Sequence, residues 1–237
     1  MTNIGEQNFY KKIKNDCTTI FDIGCREDTY YLENGVNKIF YLFEPNVITY
    51  NNCRNKIDSL IDNKKITNNR IYLYNFGLGN KTIFREYYLE TQSFFVRKNL
   101  ISKDAKPVKL SLRRFSEFLE ENDIDKIDFL KIDTEGFEPE ILLDNIDFVK
   151  NNVKYVQFEW ANTWYDKTEP ILFSKIYNTY VDDFTFHFVY DHGHPFGYSS
   201  MDLLTPIVEQ DDYEKFNSWV NQEYGANIAM MSRSKVK

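Results

Sequence analysis

No stretch of the 237 residues approaches 18 consecutive apolar positions, so the sequence offers no membrane-spanning helix. The opening residues MTNIGEQNFYKKIKND lack the apolar core that a secretory leader needs. Basic residues are outnumbered: 29 Lys and Arg stand against 36 Asp and Glu, a net charge of −7. That balance excludes the broad positive surface demanded by nucleic acid or an anionic membrane. Cysteine is scarce. Cys17, Cys25 and Cys53 are odd in number and lack metal-type spacing, which reads as reduced thiols in a cytoplasmic setting. Of the three histidines, His187 falls in a strand-like run and reads as structural, while His192 and His194 flank Gly193 in a loop. No cysteine or second histidine pair completes a zinc site with them, so no metal is expected there. Internal repeats, low-complexity linkers and breaks in composition are missing too, and 1–237 reads as a single domain. Its size allows roughly 70% of the unfolded surface to be buried without staples.

What is present is an alternation of strands and helices. Residues 5–15 read as a short helical cover (1–16) and 18–23 as a first strand, broken by Gly24. A helix is expected over 27–34, ending at Gly35. The apolar run 38–43 is a strand buried on both faces. Val47, Tyr50, Ile57, Leu60 and Ile61 recur every three or four residues, marking an amphipathic helix behind Pro45 and Asn46. Residues 70–76 form a third strand, followed by a turn cluster at 77–80. Short strands at 81–89 and 106–112 flank a loop, and 113–122 is helical with Ser111 near its cap. A fourth core strand at 127–132 leads to a helix over 137–149, with Pro139 in its first turn. A fifth strand, 153–158, is followed by a helix at 170–180, a strand at 183–190, a helix at 211–223 and a strand at 227–231. The pattern predicts an α/β fold, a doubly wound, mostly parallel seven-stranded sheet closed by a C-terminal antiparallel hairpin. Residues 18–160 make its cofactor-binding core and 161–237 complete the sheet.

The strands end in polar residues: Asp22-Ile23-Gly24, Glu44, Asn75-Phe76-Gly77 and Asp133-Thr134-Glu135. Open α/β sheets bind ligands at those ends. Glu44 stands about 20 residues beyond the Gly24 turn, where an acid accepts hydrogen bonds from ribose hydroxyls. A dinucleotide site would need G-x-G-x-x-G around a helix start. After Gly24 the chain instead reads Cys25-Arg26-Glu27-Asp28. Two acids there repel pyrophosphate but tolerate S-adenosylmethionine, which carries a sulfonium and an amino group.

The run KIDTEGFE, with FDIG, FEPN and YNFGLGN, resembles the FkbM family of S-adenosylmethionine-dependent methyltransferases over roughly 18–160. The resemblance implies a class I methyltransferase, Rossmann-like fold and O-methylation of a sugar or another small hydroxyl acceptor. Carried over, Asp22, Gly24, Cys25 and Arg26 fall at the methionine end of the cofactor. Glu44, with Pro45 and Asn46, falls at the ribose. Asn75, Phe76 and Gly77 border the adenine, and Asp133 and Glu135 flank the reacting centre. The acid run is also where this sequence departs from the family's usual alanine-asparagine and second glycine.

An alcohol acceptor must lose its proton as the new bond forms. Asp133 is the first candidate base, Glu135 the second and Glu159 the third, with His192 an acceptor-side alternative. The crowded acids could instead hold Mg²⁺. Glu138 reads equally well as charge at a helix start. Trp160, Trp164 and Tyr165 offer flat faces for a sugar ring or, equally, core bulk. Two other classes fit less well: a nucleotide-sugar dehydrogenase or epimerase using NAD, and a catalytically silent glycan-binding module. The expected partners are the cofactor and a small-molecule or glycan acceptor, with oligomeric state unspecified.

Overall fold

A computed structural model describes residues 4–87, 106–161, 173–189, 214 and 225–236. The chain begins with α1 (Ile4–Ile13) and a single 3-10 turn, then runs through β1 (Thr19–Ile23), α2 (Tyr30–Asn34), β2 (Ile39–Phe43), α3 (Val47–Asp62) and β3 (Arg70–Tyr74). Three strands follow, β4 (Gly77–Gly79), β5 (Ile83–Tyr87) and β6 (Val108–Arg114), and then α4 (Phe115–Glu121) and β7 (Ile127–Ile132). Next come α5 (Glu138–Asp144), α6 (Ile146–Asn152), β8 (Val153–Ala161), α7 (Phe173–Tyr180), β9 (Phe184–Val189) and β10 (Gly225–Ser232).

Seven of the strands form one sheet in the order β3-β2-β1-β7-β8-β10-β9. Pairing is parallel from β3 to β8, and β10 runs antiparallel to both β8 and β9. This is the doubly wound, mostly parallel sheet with antiparallel closure that the sequence predicts. The apolar runs of β1 and β7 explain their central place, since such strands are covered on both faces. On one face Phe21, Ile23, Leu130, Ile132 and Phe158 pack under Phe115, Phe118, Ile141 and Ile176. On the other, Ile20, Phe40, Phe129 and Tyr155 pack under Phe9 and Tyr10 of α1, with Tyr31, Cys53 and Ile57 alongside. The cysteines are all buried and free.

Four local expectations give way. The glycines at 77–80 form not a turn but β4, paired in parallel with β6 in a second, three-stranded sheet. A Cβ at Gly77 would meet Leu112 Cδ2 at 2.7 Å, so glycine serves close strand packing there. The helix expected over 27–34 is cut to Tyr30–Asn34, because Arg26 is left-handed (φ 52) and Asp28 Oδ1 accepts from Tyr30 N at 2.8 Å. The helix over 137–149 splits at Asn145, whose side chain donates to Ile141 O at 2.7 Å in the place of its own backbone amide. The cap expected at Ser111 is not used: Ser111 lies within β6, and α4 starts after Arg114 with no side-chain cap. Residue 214 apart, the helix expected at 211–223 lies outside the described residues, as does the loop at 90–105.

Candidate active site

Beyond the C-terminal ends of β1, β2 and β7 lies a cavity of about 280 Å³, at the small end of ligand sites. Its floor is the crossing of two loops. Gly24 N and Cys25 N both donate to Phe43 O, at 2.9 and 3.1 Å, and Asp133 N donates to Ile23 O at 2.9 Å. Gly24 (φ 82) presses so closely on the β7 loop that a Cβ would fall 1.8 Å from Asp133 O.

Glu44 forms one wall. Its Oε1 accepts from Asn46 N at 2.8 Å and its Oε2 from Arg26 N at 3.1 Å. Burial pushes its carboxyl up to about 7 against the pull of those two amides. Asn46 caps α3 through Ile48 N at 2.9 Å. Pro45, Asn46 and Gly77 line the same side. Asn75 and Phe76 do not line the cavity. The Asn75 amide supports the loop from behind, donating to Glu44 O and Pro45 O at 3.0 and 3.2 Å. Phe76 joins the aromatic stack of Phe43, Tyr74 and Phe118. Asp22 and Cys25 are buried and do not line the cavity, and a hydrogen bond with the neighbouring Cys53 thiol, together with burial, pushes the Cys25 thiol up.

Asp133, Thr134 and Glu135 form the opposite wall. Glu135 is left-handed (φ 59) and is followed by Gly136 at φ 120. Glu138 holds this turn. Its Oε1 accepts from Thr134 N at 2.6 Å and Thr134 Oγ1 at 2.8 Å, and its Oε2 from Gly136 N at 2.9 Å. The residue is fully buried, and burial pushes its carboxyl up to about 8. Glu138→Ala should therefore cost about 2–4 kcal/mol of stability, because one buried and two partly buried donors lose their acceptor. Chemical denaturation will test this, and a loss below about 1 kcal/mol would reduce Glu138 to helix-start charge.

Arg26 Nη1 lies 3.9 Å from Glu135 Oε1. Burial and the Asp133 charge push the Glu135 carboxyl up to about 7, against Arg26 and Lys131. Glu159 lies inside β8 rather than at its end and does not line the cavity. Burial and the charges of Asp133, Glu135 and Glu138 push its carboxyl up to about 9. His192, Trp164 and Tyr165 fall outside the described residues. Trp160 packs in the core against Phe173, ring centroids 5.7 Å apart. His187 is buried in β9, its Nε2 2.7 Å from Thr185 Oγ1.

Two contributions are missing from the sequence reading. Lys131 is buried, with Nζ 3.2 Å from both Asp22 Oδ1 and Asp133 Oδ2. A lysine inside the apolar run IDFLKI was the available signal, since lysine is almost never fully buried unpaired. Tyr87, Leu110, Leu112 and Phe137 give the cavity an apolar side, and nothing in a tyrosine-rich sequence singled out Tyr87. Among the described residues no three His, Cys, Asp or Glu side chains converge as a metal site, and no helix is long and apolar enough to cross a membrane.

The model of the methyltransferase FkbM domain family matches residues 14–198. No curated protein matches the sequence. Among solved structures, the chain is similar to methyltransferase FkbM from Methylobacillus flagellatus KT (16% identity, TM-score 0.41), over 61% of this chain and 33% of that one. It is similar to the METTL16 methyltransferase domain (9%, TM-score 0.46) over 95% and 65% of the two chains. Precorrin-6y C5,15-methyltransferase from Geobacter metallireducens GS-15 gives 11% identity and a TM-score of 0.44 over 98% and 90%. The chain thus spans about a third of the length of the Methylobacillus protein and just under two thirds of the METTL16 domain. The family match takes in every strand from β1 to β9 and with them both walls of the cavity, and the chain belongs to the methyltransferase FkbM domain family.

Proposed function

We propose that the protein transfers a methyl group from S-adenosylmethionine to a hydroxyl of a sugar, glycan or other small acceptor. The observation that carries this reading is one cavity with Glu44, its carboxylate set on two backbone amides, facing Asp133 and Glu135 on the β7 turn. The residues fit the cofactor. Gly24 lets the β1 and β7 loops meet closely at the floor, and the walls are acidic, which suits a sulfonium and an amino group rather than a pyrophosphate. The same reading treats 1–237 as a single catalytic domain and places it in the cytoplasm.

Each Glu44 oxygen accepts one amide and keeps a lone pair for a ribose hydroxyl. Pro45, Asn46 and Gly77 border the nucleoside, with Asn75 and Phe76 holding that wall from outside. Gly24 and Arg26 face the methionine end, Asp22 and Cys25 support it from below, and the Arg26 guanidinium is placed to meet a carboxylate. Bound S-adenosylmethionine would supply an electrophilic methyl group, so alignment of the acceptor oxygen provides most of the acceleration. Glu135 is the base this geometry favours. It lines the cavity, and its carboxyl sits near neutrality, where a general base is most effective. Asp133, the first choice on sequence alone, has one oxygen engaged by Lys131 and serves as an orienting group. Glu159, set back inside β8 and away from the cavity lining, is not the base this geometry favours.

Calorimetry with S-adenosylmethionine tests the cofactor side. Glu44→Ala should weaken binding about 10–100-fold, the loss of charge-assisted hydrogen bonds to two hydroxyls. Unchanged affinity would remove the ribose assignment. Transfer of a labelled methyl group to a panel of mono- and oligosaccharides tests the acceptor class. Binding of NADH but not S-adenosylmethionine would favour the dehydrogenase reading, and binding of neither the silent module.

A further inference from the structure

β1, β7 and β8 lie side by side, and their register sets Asp22, Lys131 and Gln157 in one row across the sheet. Two residues further along these strands stand Gly24, Asp133 and Glu159. The row is roofed by α1, where Glu6 Oε1 accepts from Gln157 Nε2 at 2.6 Å. Glu6, Asp22, Lys131 and Gln157 are all buried. An ammonium so deep in the fold persists only with charged partners, and here it has two, Asp22 and Asp133, each at 3.2 Å. Only Asp133 reaches the cavity. Two carboxylates on one ammonium leave a single net negative charge, and Asp133 is the member that presents it.

We propose that the Asp22–Lys131–Asp133 triad sets one net negative charge beneath the reacting sulfur, so that the site holds the cationic cofactor in preference to its neutral thioether product, S-adenosylhomocysteine. This rests on the reading that the methionine end of the cofactor lies over Gly24 and Asp133. Methyl transfer removes the positive charge from sulfur, and with it the attraction to the triad. The product is thereby released more readily than the cofactor. Lys131 and Asp22 act through Asp133 and are positioning residues. Contacts of shape and hydrogen bonding act on both ligands alike, whereas a unit charge within about 10 Å at an effective dielectric near 20 acts on one of them. The ratio of the two affinities therefore isolates the charge.

The test is calorimetry of S-adenosylmethionine and S-adenosylhomocysteine at pH 8, above the value of about 6 to which burial pushes Asp22. Asp22→Asn cancels the net charge and should lower the cofactor-to-product affinity ratio by about tenfold. Asp22→Asn/Lys131→Met restores one negative charge and should return the ratio to within about threefold of wild type, even where both affinities fall. A ratio that stays within about twofold across all variants would overturn the proposal. If Asp22→Asn does not fold, Glu6→Gln decides. It removes a carboxylate from the roof over the row while keeping an acceptor for Gln157, and a fall of about two- to threefold supports the proposal while no change overturns it. Wild-type protein that binds both ligands without discrimination defeats only this inference. Wild-type protein that binds neither defeats the placement of the cofactor itself.

Discussion

Gly24→Ala should abolish cofactor binding and cost about 3 kcal/mol or more of stability. Two effects add. Gly24 has a φ of 82, and moving an L residue to such a conformation costs about 1–2 kcal/mol. The second effect is larger. The new methyl carbon would lie 1.8 Å from Asp133 O and 2.8 Å from Asp133 C. Neither atom can rotate away, because both belong to the backbone of the β7 turn. The β1 and β7 loops must separate, which breaks the 2.9 Å bond from Asp133 N to Ile23 O and tilts both walls of the cavity. Against a total stability of about 5–15 kcal/mol, this is a large fraction. Urea unfolding and calorimetry with S-adenosylmethionine measure the two consequences. A Gly24→Ala protein with wild-type unfolding and wild-type affinity would show that the floor of the site has been misplaced.

Glycine at this crossing was legible in the sequence, and the reason is physical. A strand such as β1 must stop abruptly to leave room for a ligand, and Gly24 directly after four buried residues marks the stop. Glu44 was legible for a related reason: it leaves a buried strand about 20 residues later, where charge needs a purpose. The sheet order followed from alternation of strand and helix together with right-handed crossovers. Other features depended on partners distant in sequence. Gly77–Gly79 looked like a turn because the strand that makes it a strand, β6, begins only at Val108. Lys131 looked like one polar residue in an apolar run, and its meaning lies in Asp22, far back in the chain. The order of the candidate bases changed for the same reason. The sequence reading put Asp133 ahead of Glu135, and only the fold shows that Lys131 engages the first, while both line the cavity and the second has a carboxyl pushed up to about 7.

Glu135→Gln should lower turnover about 10²–10⁴-fold while lowering S-adenosylmethionine affinity by no more than the about tenfold that loss of one nearby charge brings, the signature of a lost general base. In wild type, turnover should rise with pH and level off above about 7, as the Glu135 carboxyl loses its proton. In the variant that rise should vanish, because an amide does not titrate there. The same substitution should move stability the other way. Folding raises the Glu135 carboxyl from 4.5 to about 7, so the folded protein holds this proton more tightly than the unfolded chain. The stability it contributes is complete below about pH 4.5 and is lost as pH rises through about 7. Glutamine escapes that loss. Above pH 7 the variant should be more stable than wild type by about 1–2 kcal/mol, after solvent screening and the weak Arg26 contact are allowed for. A slower but more stable enzyme is expected where a charge is kept in place for chemistry rather than for folding. Thermal melts at pH 5 and pH 8, with pH profiles of methyl transfer to an acceptor from the saccharide panel, measure both effects. If Glu135→Gln keeps the wild-type rate and its rise near pH 7, the proton goes elsewhere, and Asp133 becomes the base despite its bond to Lys131.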